Sequence, residues 1–378
     1  MTRTVTTVVL ALGISSGVTA QTIEAGALKL KLGGRVQAQF STTSVDESEL
    51  IEAGRRPSAP IPSSMFETRR IRLQTDLEYG DMITGKIELE FGMARVQVRE
   101  TYFNMRLDPA FQFRFGQWKK PFSQLQLTSS SRWLLIERGV RIRGLNEALL
   151  AEDADTSVLT IFRGNVVPGE HHDILERFGY LAYDLGAAVH GTIGNFGYQV
   201  GAFNGEGADA NDQTNGKSFA ARATYKLLES TPLTFGAGVS TREIRLTSNP
   251  TIQTRDGTAF EIDLELGDFR RKGLHIQAEA TTGTNLAVDE TFKAAQLVAG
   301  WFQPVSGKKF EGWELAGRAS WGDPIDDLDG DEGLLVTPGF NIYFTGRNRF
   351  MVNWDVYMPR GGTFENLHAF RAQAQVYF

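Results

Sequence analysis

Between Lys119 and Gly144 the chain sets six bases, Lys119, Lys120, Arg132, Arg138, Arg141 and Arg143, against a single acid, Glu137. A guanidinium presents parallel N–H donors that match a carboxylate or a phosphate, and rings of Lys and Arg select for anions where they line a narrow passage. The next stretch, Leu145 to Phe178, reverses the balance: Arg163 and Arg177 stand against Glu147, Glu152, Asp153, Asp155, Glu170, Asp173 and Glu176. Side by side at a throat, the two halves would set up a transverse field. The plainer alternative is that Arg138 to Arg143 pair with acids of the same loop and only fix its fold.

Covalent chemistry has little to work with. The absence of cysteine excludes disulfides, a thiol nucleophile and thiolate metal sites. Five histidines remain, His171, His172, His190, His275 and His368, and no serine-centred motif accompanies them, so an enzyme is not expected. His171 and His172 would point apart on an extended chain, and Asp326 to Gly333 lacks the spacing of a full calcium loop, so neither a metal nor a cofactor is expected. The acidic run fits a solvated outer loop, bridged to lipopolysaccharide through divalent ions. A net charge of −6 argues against a general nucleic-acid binder.

The elements that would position such a basic segment are strands. His368 to Phe378 alternates strictly, with Phe370, Ala372, Ala374, Val376 and Phe378 on one face and Arg371, Gln373, Gln375 and Tyr377 on the other. Its length suits a tilted membrane-spanning strand. The same period recurs at Leu28–Phe40, Phe66–Tyr79, Ile83–Phe91, Val96–Leu107 and Phe111–Trp118, and ten further segments follow between Gly179 and Met358. The pattern predicts about sixteen strands. Short turns such as Asp108-Pro109 and Gly346-Arg347-Asn348 alternate with longer polar loops, and Phe302, Trp313, Trp321, Phe340, Trp354 and Phe378 stand near strand ends as an interfacial girdle would. Lipid offers no partner to a free strand edge, so such a sheet must close.

The expected fold is therefore all-β: a 16-stranded antiparallel transmembrane β-barrel with both termini on the periplasmic side. Residues 119–178 form a third outer loop of ~60 residues, longer than a structureless connection normally is, and are expected to fold inward as a constriction. Leu134-Leu135-Ile136 and Leu145 to Leu150 suggest short helical pieces packed on the barrel wall. The inward faces of the predicted strands are mixed in charge. Bases concentrate at Lys29, Lys31, Arg35, Arg70, Arg72 and Arg371, on strands that neighbour one another across the closure.

Met1 to Ala20 has the marks of a secretory signal: Arg3, an apolar run from Val5 to Ile14, and a small-x-small site at Val18-Thr19-Ala20. Residues 21–378 are then a single barrel domain. Export without a long apolar helix, low mean hydropathy (−0.23) and period-2 strands together point to the bacterial outer membrane.

Phe115-Gly116-Gln117-Trp118-Lys119-Lys120-Pro121-Phe122-Ser123, Leu127-Thr128-Ser129-Ser130, Glu137-Arg138, Thr68-Arg69-Arg70-Ile71-Arg72 and Val200 to Gly207 resemble the phosphate-selective porin O and P family. The resemblance implies a sixteen-stranded, trimeric porin that passes small hydrophilic solutes by diffusion, with anion or phosphate preference as the finer expectation. Its anion-binding residues would be Lys119, Lys120, Arg132, Arg138, Arg141 and Arg143 of the loop with Arg35, Arg70, Arg72 and Arg371 of the wall. The alternative from another class is a non-conducting barrel with an adhesive or structural role. N-terminal sequencing of the exported protein is expected to begin at Gln21; an intact Met1 would show that no signal is removed.

Overall fold

The computed structural model describes residues 21–44, 64–92, 95–140, 169–208, 216–228, 232–246, 253–307, 309–360 and 366–378. Every predicted strand forms, and most run longer than the pattern alone suggests. The first half comprises β1 (Gln21–Ala25), β2 (Leu28–Thr43), β3 (Ser64–Tyr79), β4 (Ile83–Gly92), β5 (Arg95–Asp108), β6 (Phe111–Lys119), β7 (Tyr183–Ile193), β8 (Phe196–Phe203) and β9 (Ser218–Leu228). The second comprises β10 (Leu233–Leu246), β11 (Gln253–Leu266), β12 (Gly273–Asn285), β13 (Glu290–Pro304), β14 (Phe310–Asp323), β15 (Gly333–Phe344), β16 (Arg349–Pro359) and β17 (Leu367–Tyr377). β2 to β17 pair in sequence order, all antiparallel, and β17 pairs with β2 from Ala369↔Thr43 to Tyr377↔Arg35, which closes the barrel.

Strand β1 is an addition to the expected sixteen. It folds back on β2 from Ala25↔Leu28 to Gln21↔Leu32 and covers the part of β2 that projects beyond β17. Phe378 exchanges backbone hydrogen bonds with Gly34 at 2.9 and 3.1 Å, so β1 and the carboxyl end meet along one edge with no gap in the ladder. In lipid an unpaired backbone group costs several kcal/mol, so this seam is under strong selection for complete pairing.

Two bulges break the inside–outside alternation. On β3 the register slips between Gln37 and Ala38, which leaves Arg69 as an extra residue, and both Arg69 and Arg70 are buried on the inner side. On β5 the slip falls between Glu88 and Leu89 and leaves Arg99 as the extra residue. A bulge re-aims side chains in this way because two residues on one strand oppose one on its partner.

Short connections such as 80–82, 109–110, 194–195 and 345–348 gather at the end that holds Phe378, and long ones such as 120–182 and 324–332 at the other. The long loop after β6 enters the lumen. Within it α1 (Gln124–Leu127) and α2 (His171–Arg177) are helical. Leu134 to Ile136 is a bend rather than a helix, yet Leu134 and Leu135 do pack on Val298 of the wall as an apolar run beside a barrel should. Phe302 turns inward against Tyr343 (5.4 Å between ring centroids) instead of joining the girdle, because it shares the parity of inward Val298. Residues 145–150 lie outside the described residues.

A Cβ at Gly34 would sit 2.5 Å from the Arg72 carbonyl oxygen and 2.6 Å from Cζ of Phe378. Gly34→Val is therefore expected to abolish the compact, heat-modifiable form of the barrel in electrophoresis; normal migration would show that the seam tolerates a side chain.

Candidate functional site: an arginine pocket beside the inserted loop

The inserted loop is held to the wall by side chains that face the lumen. Ser130 accepts from Arg35 (2.5 Å), the Trp133 carbonyl from Arg349 (2.6 Å), the Leu134 carbonyl from Asn341 (2.7 Å) and the Glu137 carbonyl from Arg318 (2.9 Å). The Ile136 amide donates to Asn353 (2.6 Å), and the Leu125 amide to Glu279 (3.0 Å). Further along, the Gly169 amide donates to the Tyr357 hydroxyl (2.8 Å) and Arg242 donates to the Phe178 carbonyl (3.1 Å). These anchors fall on β2, β10, β12 and β14 to β16. The wall under them is buried, as at Gln37, Gln39, Asn353, Gln373 and Gln375. Lumen-facing Lys86, Glu100, Arg114, His190 and Gln199, on β4 to β8, stay half-exposed. Among the described residues, the loop thus presses on one side of the barrel and covers the wall of β4 to β8 less completely.

Two buried acids organise the loop. Glu170, fully buried, accepts from the amides of His172 (3.2 Å), Asp173 (2.9 Å) and Val140 (3.3 Å) and from the Ser320 hydroxyl (2.6 Å). It caps α2 and ties the loop's two arms to β14. Gly139 permits this, because a Cβ there would lie 2.1 Å from the Glu170 carboxylate. Glu137 accepts two hydrogen bonds from Arg69 (2.6 and 3.2 Å) and one from Arg70 (2.8 Å). The lone acid of the basic segment therefore pairs with the barrel wall.

Around Glu137 lies a pocket of about 350 Å³ lined by Arg69, Arg70, Arg72, Arg99 and Arg138, with Glu137 and Glu176 as its acids. Arg72 pairs with Glu88 (2.9 Å) and with Glu90, and Arg99 with Glu90 (2.5 Å). Trp133 stacks between two of the cations, with Arg138 at 4.2 Å and Arg70 at 5.1 Å from its ring. Burial, with Arg138 next, pushes His172 down to about 3, so this lining imidazole is neutral at physiological pH. Burial lowers Arg138 to about 10, which leaves it charged there. An arrangement of fixed guanidiniums with space between them can bind oxyanions and cannot by itself make or break covalent bonds.

The sequence-predicted residues divide among several places. Arg70, Arg72 and Arg138 line the pocket. Lys119 donates to the Gln126 carbonyl (2.5 Å) and Arg138 to those of Leu125 (3.1 Å) and Gln126 (2.8 Å), so both also satisfy the open carbonyls of α1. Lys120 donates to the Gly179 carbonyl (3.3 Å), and burial lowers its ammonium to about 8. Arg35 is held at Ser130, and Arg371, 2% exposed, pairs with Asp355 under the loop. Arg132 lies at the opposite mouth, in a pocket with Phe269 and Arg349. Arg141 and Arg143 fall outside the described residues. Arg69 and Arg99 were not anticipated, although the sequence carries a signal for both. Outward residues run on even numbers at Phe66 and Val96 and on odd numbers from Ile71 and Phe103, a phase slip that marks a bulge in each strand.

Glu137→Gln would leave two buried arginines without a carboxylate, a loss typically worth about 3–5 kcal/mol. Denaturant unfolding in detergent is expected to show a loss of that order, whereas Glu24→Gln, at an exposed pair with Lys29 (3.5 Å), should change nothing measurable.

Residues 61–267 match the phosphate-selective porin O and P family. A search of curated proteins finds no match. Solved outer-membrane barrels share the fold. The outer-membrane channel DcaP of Acinetobacter baumannii is 13% identical with a TM-score of 0.56, over 95% of this chain and 100% of that one. In vitro folded OmpT of Vibrio cholerae is 13% identical (TM-score 0.54; 95% and 100% covered), and OmpF of Salmonella typhi, in complex with daunomycin, is 9% identical (0.54; 94% and 100%). A match over more than half of the sequence, on a closed sixteen-stranded barrel with a loop folded into its lumen, makes this chain an outer-membrane porin of the phosphate-selective porin O and P family.

Proposed function

We propose that this porin prefers anions, phosphate among them, and that solutes pass beside the inserted loop along the open side of the lumen. The observation that carries the reading is the convergence of five arginines on one pocket, two of them turned inward by bulges that interrupt otherwise regular strands. A bulge costs ladder hydrogen bonds, and here each one adds a guanidinium at the same spot. Paired arginines still offer donors to a passing oxyanion, since each guanidinium has five N–H groups and its carboxylate partner engages only some of them. The preference is electrostatic, with no covalent step.

Three further expectations belong to the same reading. Residues 21–378 act as one barrel domain after removal of the signal. The barrel works as a homotrimer. Supporting this, the outer wall over β10 to β15 carries a shallow depression of about 700 Å³ lined by the small Ala278, Ala280, Ala295 and Ala319 together with the larger Phe235, Ile262, Leu297 and Trp321, and its small residues allow close approach in lipid. The acidic loop at 326–333 faces lipopolysaccharide.

Single-channel recording under a KCl gradient, followed by added phosphate, tests the selectivity. The reversal potential should be anion-directed, and phosphate should block chloride current. Arg99→Gln removes a charged donor worth ~1.5–3 kcal/mol and should weaken the block by about tenfold or more. Cation-directed selectivity without block would leave a general porin, and absence of conductance would favour the plugged, non-conducting barrel.

A further inference from the structure

Two periplasmic turns carry arginines in a backbone conformation that side chains avoid. Among the described residues only four non-glycine positions have positive φ, and two of them are Arg270 (62°) and Arg347 (70°). Glycine is the residue that such positions favour, and the same two turns use it nearby at Gly267 and Gly346. An arginine there is strained, and strain of this kind persists where the side chain has a task.

Both side chains line one pocket. It has a volume of about 430 Å³ and is shared with Arg132 of the inserted loop, Arg349 from the start of β16, and the rings of Phe269 and Tyr343. Glu311 pairs with Arg270, and Glu265 lies 3.9 Å from Arg132. Glu314 sits behind the pocket, engaged by the Tyr343 hydroxyl (2.7 Å) and Asn341 (2.8 Å). Arg347 and Arg349 have no carboxylate of their own among the described residues. Arg349 is 3% exposed, donates to the carbonyls of Trp133 (2.6 Å) and Ser130 (3.2 Å), and keeps a buried Nε without a partner. Burial, with Arg347 and Arg349 as neighbouring like charges, lowers the Arg270 guanidinium.

The geometry points to a second anion site at the periplasmic mouth, built for a small doubly charged oxyanion that presents carboxylate or phosphate oxygens. Four guanidiniums against three neighbouring carboxylates, Glu265, Glu311 and Glu314, leave one excess positive charge, and the lining itself holds no acid. The aromatic rings are held edge to face (6.0 Å, 73°) and stiffen the turn that bears Arg270. This site shares no lining residue with the arginine pocket on the other side of the loop, so it does not depend on the selectivity proposed there.

The test is calorimetric titration of the purified porin in detergent, at low ionic strength, with inorganic phosphate and with succinate, alongside thermal melts. Arg270→Gly/Arg347→Gly is expected to lose one class of binding site, or at least tenfold in affinity, while its melting temperature holds or rises because two strained residues are relieved. Should the double variant fail to fold, Arg347→Gly alone, at an exposed side chain, carries the same expectation. Loss for both ligands assigns a general dianion site; loss for one assigns the oxyanion it reads. Unchanged isotherms overturn the proposal, and so does a variant that melts lower while binding as the parent does. Arg99→Gln should spare this class of site, so failure here and failure of the pore selectivity give separate results.

Discussion

Hydrocarbon offers no hydrogen-bond partner, and every other feature of this molecule follows from that constraint. The sheet must close, so β17 meets β2, and β1 continues the ladder where β17 stops. Polar side chains must turn inward, so the wall alternates. A ring of sixteen strands encloses more space than side chains can fill, and the loop after β6 occupies part of it. The loop can remain inside only if its own backbone groups find partners, and the inward-facing Arg, Asn, Glu and Tyr side chains supply them.

Charge inside the lumen serves structure as much as selectivity. Glu170 is a hub with four donors, and Glu137 joins the loop to two arginines on β3. Each acid is bought out of water by cations or amides that would themselves be costly to leave bare. The result is a loop whose described residues are bonded to one side of the wall, which would displace the proposed passage toward β4 to β8. A solute on that route would meet arginines on one flank and half-exposed Lys86, Glu100 and Arg114 on the other.

Much of this was legible from period-2 alternation, because lipid on one side and water on the other leaves a strand little freedom. Strand existence and closure follow from it, and the length of the loop after β6 argued separately that it would turn inward. What the pattern could not show is which wall the loop would choose. That depends on contacts such as Arg349 to Trp133 and Asn341 to Leu134, made between residues some two hundred positions apart. Arg132 and Arg371 illustrate the difference: both are basic and inward, yet one lies at the periplasmic mouth and the other beneath the loop. The bulged Arg69 and Arg99 were legible in principle, through the parity change at Phe66 and Val96, and a reading that assumes one phase per strand passes over them.

That parity change gives the two bulges a meaning for how the sequence can vary over time. Substitution at Arg69 alters one side chain. Deletion of Arg69 would remove only the extra residue: Thr68 would then precede Arg70 with the outward–inward alternation unbroken, and Met65, Phe66, Glu67 and Thr68 would keep their sides. A single-residue deletion elsewhere in these strands acts as a frame shift of sidedness, whereas one at the bulge is absorbed. Changes of length in β3 and β5 are therefore expected to concentrate at positions 69 and 99, where a strand can lose one residue and keep its sidedness.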